Sequence, residues 1–118
     1  MEKELILRSD KLLRRVQFLD PNFIKDDGTP ASSSFQLKKN ENGLSVDIER
    51  LTDYPTAIQN ASRFRLFSLD AAITEDLGLI NEHDPLEENY AHALIKGEIN
   101  KGISRKLAAA ARRIHYPD

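Results

Sequence analysis

The segment Leu44-Ser45-Val46-Asp47-Ile48-Glu49 alternates apolar and polar residues without exception. Because successive side chains of a strand point to opposite faces of a sheet, this pattern predicts a half-buried β-strand with its apolar residues facing the core. The Asn42-Gly43 pair directly before it favours a tight reversal of the chain. Ser32 to Leu37 has the pattern of a short strand on the other side of that reversal. We therefore expect a β-hairpin over residues 32–49.

Two more segments carry strand patterns, near residues 63–69 and 90–96. Short helices are expected where a capping residue or a proline precedes good helix formers, over 9–16, 56–61 and 71–77. Residues 81–89 are polar and mostly acidic, which is typical of a loop.

The clearest helical pattern covers Ile103 to Ile114, near the C-terminus. Its apolar residues recur at three- and four-residue spacing, which predicts an amphipathic helix. Because strands and helices are mixed along the chain, we predict the α+β class. The expected architecture is a single compact domain, residues 1–118, with a small, mostly antiparallel sheet and this C-terminal helix.

The chain has 118 residues, no cysteine and a formal net charge of -2, from 17 basic and 19 acidic residues. One domain is the expectation at this length. The lack of cysteine excludes a disulfide framework and any thiolate ligand or nucleophile. No apolar run approaches the ~20 residues that a membrane span needs, and the N-terminus lacks the apolar centre of a signal peptide. We therefore expect a soluble cytoplasmic domain that needs no cofactor and engages no membrane.

Four residues are candidates for catalysis: His92, Arg15, Ser33 and Ser34. A neutral imidazole is a general base or a substrate contact, and the alanines beside His92 leave room for a ligand. Serines after a glycine turn can donate to a phosphate, which an arginine can clamp. No nucleotide-binding glycine loop and no G-x-S-x-G motif accompanies them. The structural alternatives are a half-buried histidine bonded to a loop acceptor and serines bonded locally to the main chain.

Two larger constellations have weaker support. His92 together with His83, Asp84 and Glu88 offers nitrogen and oxygen ligands, but the spacing matches no zinc signature, so we expect no metal. An early arginine, a central serine and Glu98 follow the order of an ADP-ribosyltransferase-like site, which holds a nicotinamide dinucleotide. That analogy depends on residue order alone, and the chain is short for it.

The charges divide into two opposed regions. The segment Glu82 to Glu88 is acidic, whereas the predicted last helix carries an acid-free basic face. We assign partner binding to four residues of that face: Arg105, Lys106, Arg112 and Arg113. Such cations bind phosphates or an acidic protein, and they also suit a solvated helix end.

Several short motifs together resemble a family of small bacterial proteins of unknown function. They are Leu13-Arg14-Arg15-Val16, Pro21-x-Phe23-Ile24-x-Asp26-Asp27-Gly28, Ser32-Ser33-Ser34-Phe35, Gly43-Leu44-Ser45-Val46 and His92-Ala93-x-Ile95. The family pattern has a Ser-Ser-x-x-Phe strand, whereas Phe35 here follows three serines directly. The resemblance implies a stand-alone bacterial α+β domain and carries no activity.

Three functions remain as hypotheses. The first is a non-enzymatic protein-interaction or assembly module in a multi-component bacterial system, with a protein partner or a second copy of the chain bound through the opposed charges. The second is a small enzyme or ligand-binding domain for a phosphate-bearing molecule such as a nucleotide. It requires His92, Arg15 and Ser33 or Ser34 to converge on one cavity, and it fails if His92 and Arg15 lie on opposite sides of the sheet. Nucleic-acid binding by the basic helix ranks third, because the chain as a whole is acidic.

Overall fold

The alternating segment forms a central strand of one antiparallel sheet. In the computed structural model, which describes residues 2–117, the strands are β1 (Lys11–Gln17), β2 (Leu44–Ile48), β3 (Phe64–Asp70), β4 (Ile80–His83), β5 (His92–Lys96) and β6 (Arg112–Arg113). Hydrogen bonding orders them β4-β5-β2-β1-β3-β6. The helices are α1 (Tyr54–Ile58), α2 (Ala71–Asp76) and α3 (Lys101–Ala110), with short 3-10 helices at Ser32–Phe35 and Glu49–Leu51. The predicted α+β class is confirmed.

Both faces of the sheet are covered around β1. One face, here the α3 face, packs against α3 and the 3-10 helix Ser32–Phe35, with Phe35 and Leu107 fully buried in its core. The opposite face, here the α1 face, packs against α1 through a smaller cluster that includes Leu13 and Leu66. The α1 face therefore has less apolar cover and leaves room for polar side chains.

Strand β1 corrects the prediction of a helix over residues 9–16. Leu12 and Leu13 are adjacent, and both are buried because a central strand with two covered faces packs apolar residues on each side. The strand pairs with β3 along its whole length, from Lys11 opposite Asp70 to Gln17 opposite Phe64. The alternation that would reveal a strand is lost when both faces are buried.

The predicted hairpin over residues 32–49 is wrong. Ser32–Phe35 is a 3-10 helix, and β2 pairs instead with β1 and β5. The 3-10 helix is tied to α3, because the Ser104 hydroxyl donates to the Phe35 carbonyl at 2.9 Å. Gly43 is required for a close approach rather than for a hairpin turn: a Cβ there would lie 2.8 Å from the Ile95 carbonyl oxygen.

Two more boundaries differ from the predictions. The segment expected to be an acidic loop over 81–89 begins inside strand β4. The last helix ends at Ala110 and not at Ile114, because Arg112–Arg113 pairs with the edge of β3. The Ile114 N–H then donates to the Leu66 carbonyl at 2.9 Å. The edge of β3 would otherwise carry unpaired main-chain groups, and this pairing satisfies them.

The remaining elements follow the predictions more closely. Strands near 63–69 and 90–96 are present as β3 and β5, and the helix expected over 71–77 is α2. The helix expected over 56–61 lies earlier, at Tyr54–Ile58, where the Asp53 carboxylate caps it by accepting from the Thr56 N–H. Among residues 2–117, no helix is long and apolar enough to cross a membrane.

Candidate active site

A cleft with a volume of about 770 Å³ opens on the α1 face. We call it the His92 cleft. Its lining is mostly polar: Arg15, Ser45, Thr56, Gln59, Leu86, Glu88, Asn89 and His92. Strands β1, β2 and β5, helix α1 and the β4–β5 connection contribute to it, so residues distant in sequence meet there.

Strand register brings the polar side chains together. Asp47 of β2 lies opposite His92 of β5 and also opposite Leu13 of β1. Residues opposite each other in an antiparallel pair share a face, and so do residues two apart on one strand. Ser45 and Arg15 therefore lie on the same α1 face as His92.

His92 lies between a carboxylate and a hydroxyl. Its Nδ1 is 2.9 Å from the Asp84 main-chain oxygen and 3.2 Å from Asp84 Oδ2. Its Nε2 is 3.2 Å from Ser45 Oγ. Since both neighbours of Nδ1 are acceptors, the proton of the neutral ring belongs on Nδ1 and the Nε2 lone pair faces the serine. This tautomer is the one that a histidine needs to accept a serine proton.

Main-chain hydrogen bonding also holds Asp84 and His92 next to each other. The Asp84 N–H donates to the His92 carbonyl at 2.9 Å, which extends the β4–β5 pairing by one residue. The His92 side chain is only 13% exposed, whereas Ser45 is exposed to solvent. A fixed base therefore lies beside an accessible hydroxyl.

Asp47 connects two residues that line the cleft, Arg15 and Asn89. Its side chain is buried, and it accepts from Asn89 Nδ2 at 2.8 Å and from Arg15 Nη1 at 3.5 Å. Arg15 Nη1 also donates to the Ala57 carbonyl at 2.8 Å. A buried carboxylate needs such partners, because an unpaired one is strongly destabilising. The network fixes Arg15, α1 and the β4–β5 connection relative to one another.

Gln59 contributes strained backbone to the cleft wall. It has φ +62° and ψ -53°, and the Asn60 N–H donates to the Ile58 carbonyl at 2.6 Å across it. This three-residue γ-turn is rare for a residue with a side chain and costs on the order of 1–3 kcal/mol. The turn explains why α1 stops at Ile58. Strain of this kind clusters at ligand-binding sites.

Two of the four predicted catalytic residues meet and two do not. Arg15 and His92 line the same cleft, but neither serine joins them there, so the three-group convergence that the second hypothesis requires is not found. Ser33 and Ser34 lie elsewhere, and their hydroxyls donate to the main-chain oxygens of Asn22 and Phe23. The serine that contacts His92 is Ser45, which sequence reasoning treated only as a polar strand residue. The alternation in the sequence places Ser45 on the polar face of its strand together with Asp47. It does not show that this strand pairs with β5, which carries His92.

The proposed metal constellation of His92, His83, Asp84 and Glu88 does not form among residues 2–117. Residues 2–117 contain no cluster of three or more His, Asp or Glu side chains suited to a metal ion. His83 is buried, and its ring accepts from the Glu4 N–H at 2.7 Å and contacts the Tyr90 carbonyl at 2.6 Å. It therefore has a structural role, on the other side of β4 and β5 from His92.

The four residues assigned to partner binding lie on two elements. Arg105 and Lys106 are exposed on α3, whereas Arg112 and Arg113 are exposed in β6. None of them forms an ion pair within the part of the chain that the structure describes. The acidic segment differs, because the Glu82 carboxylate is 3.1 Å from Lys96 Nζ, and Lys96 thereby lowers its pKa.

Fold and site together define a small α+β domain with a polar cleft on one face of an antiparallel sheet. Comparison with protein-family models, with curated proteins and with solved structures finds no match to this chain. The resemblance to a bacterial family therefore stays a prediction, and the site itself carries the functional argument.

Proposed function

We propose that this protein is a small hydrolase that cleaves ester bonds through Ser45, with His92 as general base and Asp84 as its positioning residue. The observation that carries the proposal is the continuous contact from Asp84 to His92 Nδ1 and from His92 Nε2 to Ser45 Oγ. Nucleophile, base and orienting carboxylate in this order activate a serine on unrelated folds. This proposal keeps His92 and Arg15 from the enzyme hypothesis, but it replaces Ser33 and Ser34 by Ser45 and the phosphate-bearing substrate by an ester.

Proton transfers through His92 define the steps of the proposed reaction. Ser45 Oγ forms a bond to the ester carbonyl carbon while its proton moves to His92 Nε2. Collapse of the tetrahedral intermediate breaks the bond to the alcohol, which leaves with the proton from His92. Water then attacks the acyl-Ser45 ester while its proton moves to His92, and collapse of this second intermediate returns that proton to Ser45 Oγ and releases the acid. Asp84 stabilises the imidazolium in both halves of the reaction.

Arg15 supplies the positive charge of the cleft. It is held by the Ala57 carbonyl and by Asp47 through a single nitrogen, Nη1. The rest of the guanidinium is left to stabilise the oxyanion that develops on the substrate. Leu86 adds an apolar contact, while Glu88 is exposed at the rim.

The test is turnover of p-nitrophenyl acyl esters, together with labelling by a fluorophosphonate probe. The wild type is expected to hydrolyse the esters and to gain one covalent label on Ser45. Ser45→Ala should lose the label and lower kcat/KM by about a thousandfold or more. Ser9→Ala, at another exposed serine, is the matched control and should keep both. Absence of labelling and of ester turnover in the wild type would refute the hydrolase.

Protein interaction through the basic residues is the second candidate function. Arg105, Lys106, Arg112 and Arg113 are exposed without ion pairs among residues 2–117, which leaves their charge available to an acidic partner. Size exclusion with light scattering should show self-association at low salt that is lost at high salt and in Arg112→Glu/Arg113→Glu. A monomer at all salt concentrations that captures no partner contradicts it, and salt-dependent binding of an oligonucleotide would favour the nucleic-acid hypothesis.

A further inference from the structure

A second cavity lies where β1 and β2 separate. The two strands pair only at Leu12 and Leu13, and beyond that point the β2 side of β1 has no strand partner among residues 2–117. A pocket of about 500 Å³ fills the gap. We call it the Arg14 pocket. It is lined by Arg14, Arg15, Val16, Gln17, Phe23, Ser33, Ser34, Gln36, Lys38 and Phe64.

The free edge of β1 offers main-chain hydrogen bonds to this pocket. The Phe18 N–H donates to the Arg63 carbonyl at 3.2 Å, which continues the β1–β3 ladder. Because bonded pairs alternate along an antiparallel ladder, Arg15 and Gln17 direct their N–H and C=O groups away from β3. Those groups point into the gap that β2 leaves, and this explains why Arg15 and Gln17 line the pocket although their side chains lie on the α1 face.

Arg14 places a charge in the pocket without a carboxylate to balance it. Its Nε donates to the Ser34 carbonyl at 3.0 Å and its Nη1 to the Ser45 carbonyl at 2.8 Å, and both acceptors are neutral. Burial lowers the pKa of Arg14 to about 10, which only the more distant Glu41 charge opposes. No ion pair forms at Arg14 within the described residues.

The other lining residues suit an aromatic anion. Lys38 adds a second positive charge, and its side chain is exposed and free to turn toward a ligand. Phe23 and Phe64 provide apolar ring surface on which a planar base can stack. Gln36 adds an amide that can donate and accept. Among residues 2–117, no acidic side chain lines the pocket.

We propose that the Arg14 pocket binds a mononucleotide. The phosphate meets Arg14 and Lys38, the base lies against Phe23 and Phe64, and the edge of the base bonds to the main chain of Arg15 and Gln17. Guanidinium and ammonium groups are strong phosphate donors, and an edge strand presents donors and acceptors in alternation, as a base edge does. This pocket shares Arg15 with the His92 cleft, through the main chain here and the side chain there, and mononucleotide binding does not depend on ester hydrolysis.

The test is heteronuclear NMR titration of the whole protein with the four common nucleoside monophosphates, with adenosine and with inorganic phosphate. At least one mononucleotide should shift the amide signals of Arg15 and Gln17 and bind more tightly than adenosine or phosphate alone. Arg14 also supports the fold, so the decisive variant is Lys38→Glu, with Lys39→Glu as its matched control. Lys39 is the exposed neighbour and does not line the pocket.

Lys38→Glu should weaken mononucleotide binding by about tenfold or more, because a charge-assisted bond becomes a repulsion. Lys39→Glu should change it by less than about twofold, since an exposed charge outside the pocket is screened. Equal losses in both variants, or no shifts at Arg15 and Gln17 with nucleotide at about 1 mM, overturn the proposal. Tighter binding to an oligonucleotide than to any mononucleotide also overturns it, because the ligand would then be a nucleic-acid strand.

Discussion

Arg14 and Arg15 are neighbours in the chain and have opposite surroundings. Arg15 contacts the buried carboxylate of Asp47 on the α1 face. Arg14 reaches only neutral carbonyl oxygens, and its Cζ lies 5.9 Å from the centre of the Phe35 ring on the α3 face. One arginine is therefore balanced by the protein, whereas the other is left for an external anion to balance.

This difference explains why the four predicted catalytic residues are divided between two sites. They are His92, Arg15, Ser33 and Ser34. Successive residues of a strand point to opposite faces, so an arginine beside the Ser33 and Ser34 side of the sheet cannot also lie beside His92. The strand places Arg14 with the serines and Arg15 with His92. The charge balance of each site then differs, because Glu88 lines the His92 cleft and Asp84 contacts His92, whereas no acidic side chain of residues 2–117 lines the Arg14 pocket.

The largest expected effect is on stability, and it separates the two arginines. Arg15→Met leaves the buried Asp47 carboxylate with Asn89 as its remaining partner, and should lower the free energy of unfolding by about 3 kcal/mol. Arg14→Met leaves two neutral carbonyls and removes a poorly balanced charge, so its cost should be about 1 kcal/mol. Urea unfolding of both variants measures the difference. Equal costs would mean that the contrast between the two surroundings has no energetic consequence.

The elements that sequence predicts well are those with one exposed face or a clear cap. The alternation in β2 and the helix-ending Gly78 after α2, with φ +83°, are local signals that need no knowledge of the rest of the chain. Strand β1 gives no such signal, since its flanking strands and its two covered faces are set by distant segments.

The candidate active site is harder to predict for the same reason. The sequence identifies His92 as a functional candidate and groups Asp84 with it as a possible metal ligand, but Ser45 reaches His92 only through the pairing of β2 with β5. The strand order β4-β5-β2-β1-β3-β6 results from packing between residues far apart in sequence. A local pattern carries no information about which strand lies beside which.

The second-largest expected effect is on stability and concerns the strained turn at Gln59, on the Arg15 side of the sheet. Gln59→Gly removes the cost of holding a side chain at φ +62° and should stabilise the protein by about 1 kcal/mol, after the entropy that glycine loses on folding. If Gln59 contacts substrate, ester turnover should fall in the same variant. Thermal unfolding and kcat/KM together test this trade-off. The matched control is Gln36→Gly in the Arg14 pocket, where the backbone is extended at φ -92° and no stabilisation is expected.

The smallest effect is a pH response confined to the Arg15 side. Hydrogen bonds from the Thr56 side chain and main chain lower the pKa of Asp53 below its ordinary value of 3.8. Because the folded state lowers this pKa, the cap contributes stability above pH 3.8 and loses it as the pH falls toward the folded-state pKa. Acid should therefore loosen α1, whose Ala57 carbonyl holds Arg15, and leave the Arg14 pocket unchanged.

Hydrogen exchange should accelerate at Thr56 and Ala57 relative to Ser34 and Phe35, after correction for the intrinsic rate. Asp53→Asn keeps a capping oxygen that does not titrate and should abolish the difference. Equal acceleration on both sides of the sheet would show that the two arginine environments respond to acid as one unit.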